Sequence, residues 1–196
     1  MRPVLCLITD RRRLGASWEE ALVKRVRTAA AAGVHLVQVR ERDLDGGPLT
    51  RVVAACVEAV RGTSTRVLVN DRFDVALAAG AHGVHLRGDS FPAPRVAARA
   101  PAGFLIGRSV HSVAEALAAA EADALDYLIF GTVFDSGSKP GRSPAGLGEL
   151  SRVASVTRIP VLAIGGITAE NIADVMAAGA AGAAAITMFD MPPYVS

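Results

Sequence analysis

Short runs of β-branched and aliphatic residues recur along the chain. Each is followed by a polar segment and then by an Ala- and Leu-rich stretch that stops near a glycine. The runs cover residues 4–9, 36–39, 66–69, 83–86, 105–108, 127–131, 161–164 and 183–187. They are apolar at nearly every position and not at alternate ones, which predicts strands of a parallel sheet buried on both faces. Helices are predicted over 17–32, 49–60, 113–121, 146–157 and 169–178. Ser17 before Trp18-Glu19-Glu20 reads as an N-cap followed by first-turn acids. Ser112 with Glu115 has capping-box spacing. Thr168 before Ala169-Glu170-Asn171 has the same look, and Gly33 and Gly179 stand where helices should stop.

Eight alternating βα units predict an α/β fold, a closed (β/α)8 TIM barrel spanning residues 1–196 as one domain. No linker or low-complexity tract divides it. The competing architecture is a doubly wound open sheet. Its glycine-rich turn after the first strand is missing, because Thr9-Asp10-Arg11 stands there. After Thr187 only nine residues follow, Pro192-Pro193 among them, so the eighth helix is expected to be shortened or missing. The barrel seam is then covered by a second copy in a homo-oligomer, or the sequence is truncated.

Composition narrows the class. Hydrophobic residues make up 51% and charged residues 20%, as in a folded globular chain. The net charge of +2, with a pI near 8.8, is too small for a nucleic-acid face. Arg11-Arg12-Arg13 is expected to be a solvated loop, with ligand or polyanion contact as the alternative. Cys6 and Cys56 lie in apolar runs without metal-ligand spacing, so they read as small buried hydrophobes in a reducing cytoplasm. The N-terminus lacks signal-peptide character, and residues 177–189 are too short and glycine-broken to span a bilayer.

The polar residues gather after strands, where a barrel of this kind carries its chemistry. Gln38, Arg40, Glu41 and Arg42 end the second run, and Asn70-Asp71-Arg72 the third. His85 to Ser90 end the fourth, and Arg108 to Ser112 the fifth. Gly165-Gly166 after the seventh run offers backbone N–H groups to a phosphate without side-chain obstruction, and Ala185, Ile186 and Thr187 form the other wall. A plain tight turn is the bland alternative. The loop 134–142, which begins after Thr132 and carries Lys139 and Arg142, has the composition of a lid over an anion. His111, just past a strand and before a helix, is the candidate acid/base. His85 is expected inside the barrel, and His35 and His82 to be structural. Asp71 and Asp89, with Asp10 as a possible third, are the carboxylates available to Mg²⁺.

These segments together resemble the thiamine phosphate synthase/TenI superfamily over nearly the whole chain. The resemblance rests on Leu7-Ile8-Thr9-Asp10, Val37-Gln38-Val39-Arg40-Glu41, and Val69-Asn70-Asp71-Arg72-Phe73-Asp74. It also rests on Gly83-Val84-His85-Leu86, Phe130-Gly131-Thr132-Val133-Phe134 and Ala163-Ile164-Gly165-Gly166-Ile167. It implies a (β/α)8 barrel in thiamine biosynthesis. It further implies diphosphate binding by Gln38, Arg40, Asn70 and Lys139, and a metal ligand at Asp71.

The superfamily has two enzymatic branches. The synthase couples a hydroxymethylpyrimidine diphosphate to a thiazole phosphate, with Mg²⁺ and pyrophosphate release. The TenI branch aromatises a carboxythiazole phosphate by proton transfer, with no cofactor. Three departures from the synthase pattern point to TenI: Arg42 stands in place of a lysine, Ser90 in place of an aspartate with Asp89 one position early, and Ser136-Gly137-Ser138-Lys139 in place of a Thr- and Lys-rich lid. Gly107-Arg108-Ser109-Val110-His111-Ser112 is similar to the TenI signature and puts its catalytic histidine at His111. A thiazole tautomerase acting on a small-molecule thiazole phosphate is therefore expected. The synthase is the alternative, with Asp71 and Asp89 as metal ligands, and a non-catalytic regulatory barrel is the second alternative.

Overall fold

In the computed structural model, which describes residues 2–122, 124–135, 143–190 and 194, the strands pair in chain order and close on themselves. They are β1 (Val4–Ile8), β2 (Leu36–Val39), β3 (Arg66–Asn70), β4 (Gly83–Leu86), β5 (Leu105–Val110), β6 (Tyr127–Gly131), β7 (Val161–Ile164) and β8 (Gly182–Ala185). Every pair is parallel, and closure is the β1–β8 pairing, with Val4 opposite Gly182 and Leu7 opposite Ala185. Between the strands lie α1 (Trp18–Ala31), α2 (Gly46–Ala59), α3 (Phe73–Ala78), α4 (Ala93–Ala97), α5 (Val113–Glu121), α6 (Gly146–Ser155) and α7 (Ile172–Ala177). The α/β barrel is as expected.

The apolar runs divide by strand pleat into two cores. Leu5, Leu7, Val37, Val39, Val67 and Val69 face outward and pack under the helices. Cys6, Leu36, Leu68, Tyr127, Ile129 and Leu162 face inward and fill the barrel. Burial raises the Cys6 and Cys56 thiols to about 12, so both are inert small hydrophobes.

The structure differs from the local expectations at four places. The helices α3 and α4 lie outside the predicted ones, since six and five residues show no helical period, and α7, also six residues, is predicted only within the longer stretch 169–178. Ser17 makes no side-chain cap bond, and α7 begins at Ile172, after a turn in which the Thr168 N–H donates to Asn171 Oδ1 (2.9 Å). The eighth strand ends at Ala185. Ile186 lies in the turn that follows, and Thr187–Phe189 form a 3-10 turn. That turn is tied to α1, for Arg25 Nη2 donates to the Ile186 carbonyl (2.5 Å) and pairs with Asp190 (2.6 Å). Ser112 does cap α5, its hydroxyl accepting from Glu115 N (3.2 Å).

A repeated device ties the strands at the N-terminal end. The residue just before β2, β4 and β6 accepts a hydrogen bond from a backbone N–H of the preceding strand. His35 Nδ1 accepts from Leu5 (3.1 Å), His82 Nδ1 from Val67 (2.9 Å) and Asp126 Oδ2 from Ile106 (2.7 Å). His35 and His82 are thus structural, as their position before a strand predicts.

Candidate active site

At the C-terminal mouth the inward positions are polar on one side and apolar on the other. Gln38, Asn70, His85 and Ser109 come from β2 to β5, whereas Ile129, Ile164 and Ile186 come from β6, β7 and the turn after β8. The polar side is bonded internally. Gln38 Nε2 donates to Asn70 Oδ1 (3.0 Å). Gln38 is 2% exposed, and its Oε1 has no partner among the described residues. A buried acceptor in that state is offered to a donor on the ligand, because leaving it unpaired is costly.

His85 is buried between two hydroxyls, with Nδ1 3.0 Å from Tyr127 Oη and Nε2 2.8 Å from Ser109 Oγ. Burial, with the positive charges of Arg108 and Arg40, pushes its pKa down to about 3, so the ring is neutral. Gly107 makes the arrangement possible, since a Cβ there would stand 2.1 Å from the Tyr127 ring. The chain Tyr127–His85–Ser109 fixes the Ser109 hydroxyl at the mouth.

Arg40 is half-buried, and burial, then Arg42 and Arg12, lower its pKa. Its backbone N–H donates to Thr9 Oγ1 (3.0 Å), and Thr9 in turn donates to Glu41 Oε1 (2.5 Å). Glu41 is buried, and burial raises its pKa against the Thr9 and Arg11 bonds. Arg42 is exposed. The arginines of residues 11–13 form a 3-10 turn, with Arg11 on Asp43, Arg12 on Asp10 and Arg13 near Asp190.

Gly165 and Gly166 have φ of 100° and 63°. A Cβ on Gly165 would lie 2.5 Å from Thr132 Cγ2, and one on Gly166 would lie 2.5 Å from the Asp135 carbonyl. Both carbonyls are used inside the fold. Gly165 O accepts from Phe134 N (3.1 Å), and Gly166 O accepts from Asn171 Nδ2 (2.9 Å). The pair therefore serves close packing between the β6 and β7 loops and lies at the same end as Ile186 and Thr187. Lys139 and the rest of 136–142 lie outside the described residues.

His111 N donates to Glu115 Oε2 (2.8 Å), and its Nδ1 lies 2.7 Å from the Gly131 carbonyl, to which it donates. One ring nitrogen is thus spent on holding the end of β6.

The acidic corner departs from the expected metal pair. Asp71, at a left-handed φ of 63°, follows β3. Its Oδ1 accepts from Ser90 Oγ, and its Oδ2 is 3.6 Å from Arg87 Nη1. Asp89 does not turn toward Asp71. Its carboxylate is 70% exposed and takes both Nε and Nη2 of Arg87. Asp10 is committed to Arg12. Among the described residues no three His, Cys, Asp or Glu side chains converge. The donor set fits one carboxylate, Asp71, in a site completed by a ligand's phosphate oxygens and water. The sequence places Arg87 in the cluster after the fourth strand and Tyr127 in the sixth, but gives neither a role in the site.

The family model described as thiamine monophosphate synthase, TMP-TENI, matches residues 5–189, and the chain belongs to that family. It is 44% identical over 162 residues to the thiamine-phosphate synthase of Methanoculleus marisnigri, covering 82% of this chain and 76% of that one. It is 40% identical over 190 residues to a putative thiamine-phosphate synthase of Geobacter sulfurreducens, covering 96% and 87%. A solved thiamine phosphate pyrophosphorylase from Pyrococcus furiosus superposes with a TM-score of 0.80 at 34% identity, over 94% of this chain and 85% of that one. These relatives overturn the expected tautomerase, and with it the isomerase class. Substitutions at Arg42 and Ser90 were too local to outweigh similarity spread over the whole barrel. No helix among the described residues is long and apolar enough to cross a membrane.

Proposed function

We propose that the protein is a thiamine-phosphate synthase, a transferase that joins a hydroxymethylpyrimidine diphosphate to a thiazole phosphate. The observation that carries the reading is the strand-end cluster in which Gln38 bonds Asn70 and keeps a buried acceptor without a partner among the described residues, with the Asp71 carboxylate following Asn70 at the barrel mouth. The names of the relatives point the same way. In the reaction the thiazole nitrogen forms a bond to the pyrimidine's exocyclic methylene carbon, the carbon–oxygen bond to the diphosphate breaks, and pyrophosphate leaves with that electron pair.

The chain's side chains bind and orient in this scheme. Gln38 Oε1 accepts from a donor on the pyrimidine, and Asn70, Arg40 and Arg42 meet the diphosphate together with Lys139. Gly165, Gly166, Ile186 and Thr187 hold the thiazole phosphate against the apolar side, with Ser109 and Thr132 lining the floor. Bond formation at nitrogen requires no side-chain base, so His111 takes a positioning role through Gly131. Asp71 would hold Mg²⁺, which when bound supplies positive charge to the departing diphosphate. Asp89 is outside this set. The substrates are small molecules, and biosynthesis of this kind fits a cytoplasmic setting.

Incubation with both substrates and Mg²⁺ should yield thiamine phosphate and one equivalent of pyrophosphate. No turnover at saturating substrate concentrations would overturn the reading.

A further inference from the structure

The loop after β4 places one guanidinium between two carboxylates. Arg87 takes Asp89 through a two-bond fork and stands 3.6 Å from Asp71. The fork uses Nε and Nη2, which leaves Nη1 directed at Asp71. Asp89 thus holds the arginine, and Asp71 receives it. The side chain of Arg87 is 41% exposed and that of Asp71 30%, so both remain open to a ligand entering the mouth. Charge at the corner has two consequences. A cation beside Asp71 repels a divalent metal there, and the same cation attracts a phosphate.

We propose that Arg87 is a resident cation of this site, held by Asp89, which contacts the diphosphate directly and competes with the divalent metal for Asp71. The proposal rests on the synthase reading only in naming a diphosphate as the anion. It makes the corner partly self-sufficient in positive charge. Pyrophosphate affinity then has a metal-independent part, and metal affinity in the absence of diphosphate is held down.

The two effects have opposite signs on removing the arginine, which separates this role from a merely structural one. The probes are inorganic pyrophosphate in EDTA, followed by calorimetry, and Mn²⁺ alone, followed by its electron paramagnetic resonance signal. For Arg87→Gln the expected result is pyrophosphate binding in EDTA weakened about tenfold and Mn²⁺ binding tightened at least about threefold. Arg87→Lys keeps the charge without the fork and should fall between the wild type and Arg87→Gln in both. Asp71→Asn should abolish the Mn²⁺ site. Unchanged pyrophosphate binding in Arg87→Gln, or loss of Mn²⁺ affinity together with pyrophosphate affinity, would overturn the proposal. These readouts do not depend on turnover. An enzyme that makes thiamine phosphate yet shows unchanged binding in Arg87→Gln rejects the Arg87 role alone.

Discussion

The imidazole of His85 on β4 and the phenol of Tyr127 on β6 meet inside the barrel, with Nδ1 and Oη 3.0 Å apart. The Ser109 hydroxyl takes the other ring nitrogen at 2.8 Å. Each hydroxyl can donate or accept, so a neutral ring is satisfied on both sides in either tautomer. A protonated ring would have to bear its charge in a buried site near Arg108 and Arg40.

That burial predicts a pH signature. The unfolded chain takes up the proton near pH 6.5, whereas the folded chain resists until about pH 3. His85 therefore stabilises the fold fully above the unfolded pKa, and this contribution is lost as pH falls from there toward 3. The slope is about 1.4 kcal/mol per pH unit at most. Urea unfolding of wild type and His85→Gln at pH 7, 6, 5 and 4 should give curves that converge as pH falls, with the wild type steeper. Parallel curves would show that this histidine does not titrate on unfolding.

The clamps before β2, β4 and β6 should be worth different amounts. Asp126 gives a carboxylate to the Ile106 N–H, and His35 gives a neutral nitrogen to Leu5. Removing either leaves a strand N–H without its partner. Asp126→Ala should cost about 2 kcal/mol and His35→Ala about 1 kcal/mol. Denaturant titration at neutral pH tests the order, and equal losses under half a kcal/mol would show that water replaces both acceptors.

The fold was legible because periodicity records burial. All eight strands and the four longer helices carry apolar patterns long enough to read, whereas α3, α4 and α7 are each shorter than two turns, and of these only α7 was expected, inside the longer stretch 169–178. The mouth was legible as a set of positions. Asn70, Asp71, Gly165 and Gly166 fall at strand ends, and strand ends face the mouth. What those side chains do to one another was not legible. Nothing in the order Arg87-Gly88-Asp89-Ser90 tells that Asp89 folds back on Arg87 while Ser90 reaches Asp71. Nor does the order show that Gly107 is empty so that Tyr127 can reach His85. Reading Asp89 as a ligand assumed that a carboxylate near a mouth points into it.

Gly165 and Gly33 test whether a glycine serves conformation or contact. Both have positive φ, at 100° and 80°. A Cβ on Gly33 meets nothing within 4 Å, but on Gly165 it meets Thr132 Cγ2 at 2.5 Å. Gly33→Ala should cost only backbone strain, about 1 kcal/mol, with activity kept. Gly165→Ala must also move the β6 loop. Its KM for thiazole phosphate should rise about tenfold or more, since a displacement of 1 Å at a binding site is costly. Steady-state kinetics with the pyrimidine substrate saturating would check this, and an unchanged KM would remove the Gly165 loop from the phosphate site.

Ser90 offers a test of the corner by addition. Its hydroxyl donates to Asp71 Oδ1, so an aspartate at 90 sets a second carboxylate against the first. Without metal the like charges repel, and Arg87 cannot satisfy Asp71, Asp89 and the new acid together. Ser90→Asp should melt about 2–4 °C below the wild type in EDTA, the equivalent of roughly 1 kcal/mol for a chain of this size. With Mg²⁺ two carboxylates become a better oxygen site than one. Millimolar Mg²⁺ should therefore raise the melting temperature of Ser90→Asp by more than it raises that of the wild type. Thermal melts in EDTA and in Mg²⁺ read both effects. A variant that melts lower in EDTA and gains nothing from Mg²⁺ would place position 90 away from any cation site, and leave Asp71 without the neighbour that its geometry gives it.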